Sequence, residues 1–125
     1  MRENDLSGVI IGCAMRVHTA LGPGLLESAY QECLHYKLKK AGLNVGKQIP
    51  LPLVYQEVKL ECVYPLDLIV ENQIIVEIKS VESFHPIHCV QLLTYLKLAN
   101  CKRGLLLNFN VLHLKEGIKG VANNL

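Results

Sequence analysis

Two apolar runs rich in β-branched residues, Leu66-Asp67-Leu68-Ile69-Val70 and Ile74-Ile75-Val76-Glu77-Ile78, flank a polar Glu71-Asn72-Gln73. Such runs around a polar turn read as two strands of a hairpin. Asp67, Glu77 and Lys79 interrupt the apolar pattern. Side chains alternate between the faces of a strand, so Glu77 and Lys79 leave one face and Ile74, Val76 and Ile78 the other. Pairing Val70 with Ile74 over a three-residue turn sets Asp67 opposite Glu77. A two-residue turn at Asn72-Gln73 sets it opposite Ile78 and splits the carboxylates. Periodicity leaves both registers open. Chemistry favours the first, because a charge inside a buried sheet is costly unless it is paired or binds a cation.

Upstream, Leu6, Val9, Ile10, Cys13, Val17 and Leu21 follow helical spacing, which predicts a helix over 4–21 capped by Asn4 or Asp5. Gly22-Pro23-Gly24 breaks it. A second helix is expected from Leu25 to Ala41, with Gly42 as its stop. Residues 44–55 read as a strand whose Pro50 and Pro52 suit an edge or a bulge. Gln56-Glu57 is a turn, and Val58–Tyr64 opens a strand that bends at Pro65 before Asp67. The strand 74–79 follows. Pro86 suits the first turn of a helix over 86–98, which carries Ile87, Val90, Leu93, Leu96 and Leu98. Gly104–Phe109 reads as a buried strand, and Leu112–Val121 as a short helix with Lys115 and Lys119 on one side. Asn123-Asn124-Leu125 should fray. The expected fold is α/β (α+β): a three-stranded meander, a crossover helix and a fourth strand in a mixed four-stranded sheet flanked by helices.

At 125 residues, half of them hydrophobic, the chain suits one domain with a single core. A net charge of +2 names no partner. The five cysteines, at 13, 33, 62, 89 and 101, form no CxxC pair. They match neither a zinc site nor a disulfide framework, so buried thiols in a reducing, cytoplasmic setting are expected. No apolar run reaches membrane-spanning length. Ile10-Ile11-Gly12-Cys13 is too short, after a net acidic start, to be a signal segment.

The chemistry centres on Asp67, Glu77 and Lys79. Two carboxylates on one face can hold a hard divalent cation such as Mg²⁺, and a neighbouring ammonium can orient water or offset phosphoryl charge. A surface Glu/Lys pair on an exposed sheet face accounts for the periodicity equally well. Glu27 stacks over Leu34 and Leu38 at helical spacing, yet a first-turn Glu needs no function. His18 precedes the Gly-Pro-Gly break by four residues, where it can simply meet helix-end carbonyls. Gln91 and Tyr95 share a helix face, with His88 three residues earlier near the same line, and a half-buried helix edge explains them alone. No GxxxxGK[ST], GxSxG or HExxH is present.

Together these elements resemble a family. The order αβββαβ, with Asp67 on the second strand and Glu77-Ile78-Lys79 on the third, resembles the restriction-endonuclease-like core of the PD-(D/E)XK nuclease superfamily. Gly24-Leu25-Leu26-Glu27-Ser28-Ala29-Tyr30 looks like the signature of its GxxExxY branch, and Gln91-Leu92-Leu93-Thr94-Tyr95 like the QxxxY motif of its RecB-like nucleases. The resemblance runs over roughly residues 5–121. It implies that Asp67, Glu77 and the Ile78 carbonyl bind Mg²⁺ or Mn²⁺, with Glu27 completing the acidic site. Lys79 would position or activate the attacking water. Gln91 and Tyr95 would line the site or touch nucleic-acid backbone, and His18 sits in a Val-His context similar to that of family members. One departure stands out: Leu66 separates Pro65 from Asp67, and Tyr64 and Pro65 stand where family members often place a basic residue.

The resemblance thus implies a metal-dependent nuclease acting on DNA, with a homodimer as one arrangement and no membrane association. The alternatives are a non-catalytic protein- or nucleic-acid-binding module that keeps the fold, and a hydrolase for another phosphorylated substrate.

Overall fold

The computed structural model describes residues 1–60 and 65–124. Helix α1 spans Glu3–Leu21 and α2 spans Glu27–Lys40. Strands β1 (Val45–Pro50), β2 (Leu53–Tyr55), β3 (Val58–Leu60), β4 (Pro65–Val70) and β5 (Ile74–Lys79) follow. Helix α3 (Pro86–Ala99) crosses over to β6 (Arg103–Asn108), and a 3-10 turn at Leu114–Gly117 leads into β7 (Ile118–Ala122).

The main sheet has five strands in the order β1-β4-β5-β6-β7. β5 and β6 run parallel, and every other neighbour pair in it is antiparallel. This is the mixed, helix-flanked sheet expected from the pattern, with one strand more. The segment expected to form a terminal helix supplies that strand. Gly117 explains why: a Cβ there would collide with the carbonyl of Asn108. The backbone therefore passes close against β6, and β7 takes up the hydrogen bonds of the β6 edge that faces away from β5. Asn123 does not fray either. It is buried, its N–H donates to the Lys102 carbonyl at 2.8 Å, and its side-chain amide donates to the Cys101 carbonyl at 3.1 Å.

The strand expected over 44–55 is broken at Leu51-Pro52. Its second half pairs in a separate two-stranded hairpin, β2-β3, turning at Gln56-Glu57. Of the strand expected at 58–64, Val58–Leu60 is seen, while the rest, with Cys62 and Tyr64, lies outside the described residues. At the start of α1 neither Asn4 nor Asp5 is the cap; Arg2 occupies that position without a side-chain bond.

The sheet separates two apolar layers. On one face Leu6, Ile10, Leu34 and Leu38 of α1 and α2 cover Leu68, Val70, Val76 and Ile78. On the other, Leu92 and Leu96 of α3 cover Ile75 and Leu106. Two opposed layers use both faces of β5, which explains its nearly continuous apolar run. The central hairpin pairs Val70 with Ile74, Ile69 with Ile75 and Leu68 with Val76. This is the three-residue register. Glu71 and Asn72 both adopt a φ of +53°, and Glu71 accepts the Asn44 N–H at 2.7 Å. Among the described residues no helix is long and apolar enough to cross a membrane.

Candidate active site

The three-residue turn places Asp67, Glu77 and Lys79 on the face covered by α3. There the start of α2, the end of β5 and the first turns of α3 enclose a cleft of about 190 Å³. Glu27, Asp67, Glu77, Lys79, Gln91 and Tyr95 all line it. Alternation alone would group Leu66 with Leu68 and Val70. Instead it belongs to the cluster of Ile75, Leu92 and Leu106, so the strand turns out of phase just before Asp67.

Asp67 is fixed by its partners. Its Oδ2 accepts the Ile78 N–H at 2.8 Å, and its Oδ1 lies 3.4 Å from the Gln48 amide. Glu77 is 7% exposed, and its Oε1 is buried with no hydrogen-bond partner among the described residues. Its carboxyl is pushed up to about 9. Burial is the main cause; the Asp67 carboxylate and the hydrogen bond between the two acids add to it, and Lys79 pulls the other way. Two carboxylates this close in a dry site cannot both ionise without a compensating cation. Glu77 therefore favours its protonated form beside Asp67, and its buried Oε1 has no partner among the described residues. Oxygen donors of this kind suit a hard divalent cation.

Glu27 reaches the cleft through the segment that precedes it. Gly24 takes a φ of +95°, a conformation that suits glycine. Tyr30, fully buried, then pins the loop: its hydroxyl donates to the Gly22 carbonyl at 2.6 Å and accepts the Leu25 N–H at 3.1 Å. Its ring stacks on Phe109, centroids 4.4 Å apart. The loop is also tied to β5, because Ser80 Oγ donates to the Leu25 carbonyl at 2.8 Å. Glu27 Oε2 accepts the Ser80 N–H at 3.1 Å. In this arrangement Glu27 does not form a three-carboxylate cluster with Asp67 and Glu77. Among the described residues no three His, Cys, Asp or Glu side chains are grouped to hold a metal ion.

His18 is not brought to the cleft. It is buried between α1 and the 111–115 segment, where its Nε2 meets the Val111 carbonyl at 2.8 Å and its ring tilts against Phe109. A lone buried histidine tying two segments is a packing arrangement.

Other residues at the site carried no signal in the sequence. Gln48 sits between Lys47 and Ile49, which pair with Leu68 and Leu66, and has a φ of +52°. Its amide donates to Gln31 Oε1 at 2.6 Å, and Gln31 is itself buried on α2. Asn108, opposite Lys79, pins the exit of β5: its Oδ1 accepts the Val81 N–H at 3.1 Å and its Nδ2 donates to the Val81 carbonyl at 2.9 Å. Only the register of β1 against β4 could have pointed to Gln48, and nothing in the polar Gly46-Lys47-Gln48 stretch announces it.

A family model described as the PD-(D/E)XK nuclease superfamily matches residues 4–121. No curated protein and no solved structure matches the chain.

Proposed function

The chain belongs to the PD-(D/E)XK nuclease superfamily, and from that premise we propose a Mg²⁺- or Mn²⁺-dependent nuclease that hydrolyses phosphodiester bonds in DNA. One observation carries this reading: Glu77, buried beside the half-buried Asp67, has a carboxyl pushed up to about 9 and an oxygen with no partner among the described residues. Asp67, Glu77 and the Ile78 carbonyl would hold the ion, with Glu27 contributing from the cleft wall. When bound, a divalent ion polarises the scissile phosphate and lowers the pKa of water.

The remaining work falls to this chain's side chains. Lys79 offsets negative charge on the phosphoryl oxygens and orients the attacking water. Gln91 and Tyr95, on the α3 wall, hold the nucleic-acid backbone in the cleft. The GxxExxY-like segment acts as a device for delivering Glu27, with Gly24 making the turn and Tyr30 locking it.

The chain works as one domain, and a second copy would supply the cut in the opposite strand. Of the described cysteines, Cys13 and Cys101 are buried thiols as expected, whereas Cys89 is half-buried and Cys33 is exposed.

A non-catalytic binding module is the competing reading, favoured by the engagement of Glu27 with Ser80. A cleavage assay with Mn²⁺ and a panel of single-stranded, duplex and branched DNA separates the two. Cleavage that drops about 10²-fold or more in Lys79→Ala, while Mn²⁺ binding persists, supports the nuclease. Full-rate cleavage by that variant overturns the assigned chemistry, and no cleavage of any substrate by the wild type favours the binding module.

A further inference from the structure

His88 lies on the cleft wall with Glu27, Lys79 and Gln91. No motif and no ligand set assigns it a role. It stands in the first turn of α3, where the chain uses one side of its ring. The His85 N–H donates to His88 Nδ1 at 3.1 Å, while His85 Nδ1 accepts the Ile87 N–H at 3.2 Å. Together these two rings cap the helix.

That cap fixes the tautomer. A ring nitrogen that accepts an N–H carries no proton, so a neutral His88 must hold its proton on Nε2. A second proton is disfavoured by burial, by the nearby Lys79 ammonium and by His85, against a smaller opposing pull from Glu27. The ring orientation is also fixed: Phe84 packs edge-on against it at 6.2 Å, and His85 lies nearly perpendicular at 6.4 Å. Among the described residues Nε2 has no hydrogen-bond partner. Gln91 follows three residues later on the same helix face. The helix therefore presents neutral polar groups in a row beside the Lys79 ammonium.

We propose that His88 is a substrate-binding residue whose Nε2–H donates to a non-bridging oxygen of a phosphodiester held between α3 and Lys79. This deepens the nuclease reading and rests on it for the identity of the substrate. A neutral donor suits the task. It binds an anionic oxygen without competing with the metal-binding carboxylates for charge, and its cap spares the side-chain entropy of ordering on binding.

The test uses the full chain and dimethyl phosphate as the probe. In histidine-labelled wild-type protein, long-range proton–nitrogen spectra at neutral pH should show His88 as the Nε2–H tautomer. Its Nε2 should shift on titration with dimethyl phosphate more than any nitrogen of the other four histidines. His88→Asn keeps an acceptor near the Nδ1 position and so keeps the cap, but it cannot reach the ligand. It should retain the wild-type melting temperature and bind dimethyl phosphate about tenfold more weakly. His88→Gln places an amide donor near the Nε2 position and should recover part of that loss. A proton found on Nδ1, an unmoved Nε2 or unchanged binding by His88→Asn overturns the proposal. Wild-type cleavage of DNA with an unchanged KM in His88→Asn would sink this inference and leave the nuclease reading intact. A phosphodiester-induced shift at His88 without cleavage of any DNA would do the reverse.

Discussion

The backbone N–H of Ile78 donates to Asp67 Oδ2 at 2.8 Å. This bond crosses from β4 to β5 and locks one carboxylate beside the next, because Ile78 directly follows Glu77. Asp67→Asn keeps an oxygen for that N–H but removes a charge from beside Glu77. Mn²⁺ affinity should therefore fall by about 10²-fold or more in protein carrying it. Titration calorimetry checks this; unchanged Mn²⁺ affinity would remove Asp67 from the metal site.

Glu77 makes stability depend on pH. Its carboxyl titrates near 9 when folded, against an ordinary value of 4.5. The folded state thus holds the proton more tightly than the unfolded state. This raised value favours folding at low pH, and that advantage is lost as pH climbs from 4.5 towards 9. Without metal, urea denaturation should show stability falling by up to about 1.4 kcal/mol per pH unit between pH 6 and 8. Glu77→Gln, which cannot ionise, should flatten this slope, and Mn²⁺ should stabilise the wild type more at pH 8 than at pH 6. A slope equal in wild type and variant would refute the assignment.

Tyr30 acts on the cleft from a distance. Tyr30→Phe keeps the stack on Phe109 and deletes the bonds to Gly22 and Leu25. The expected cost is about 1–2 kcal/mol in thermal or urea denaturation, from two backbone groups left without this partner. Freed from its anchor, the segment that carries Glu27 should also loosen, lowering cleavage up to about tenfold at saturating Mn²⁺. Destabilisation with wild-type cleavage would confine Tyr30 to packing.

Gln48 combines a positive φ with contacts to Gln31 and Asp67. Both Gln48→Ala and Gln48→Gly lose the amide, but only glycine adopts the backbone freely. The glycine variant should therefore be more stable than the alanine variant by about 1 kcal/mol. Both should bind Mn²⁺ more weakly, because Asp67 Oδ1 loses a neighbour. Equal stability of the two variants would show that the backbone there is unstrained.

Several elements were legible in the chain because their causes are local. Helical spacing from Leu6 to Leu21, the Gly-Pro-Gly break and Pro86 at the start of α3 each act within a few residues. The Glu71-Asn72-Gln73 turn was legible as a turn. Its length, and so the face taken by Asp67, followed from an argument about charge rather than from the pattern. The 112–121 segment reads as helix because Ile118 and Val121, three apart, match helical spacing; in β7 they point to opposite faces of the sheet, one packed against each apolar layer. What decided it was an open edge on β6 and the close approach at Gly117, neither of which exists until β6 is in place.

The sequence by itself determined the meander, the crossover helix and the acidic and amine residues on its strands, because side-chain alternation and turn chemistry are properties of neighbouring residues. Only the tertiary structure decided that Glu27 turns to Ser80, that His18 anchors Val111 away from the cleft, and that Gln48 and His88 face the site. Those outcomes depend on which backbone groups remain unpaired where separate segments meet, and an unpaired donor or acceptor has no signature in the chain that carries it.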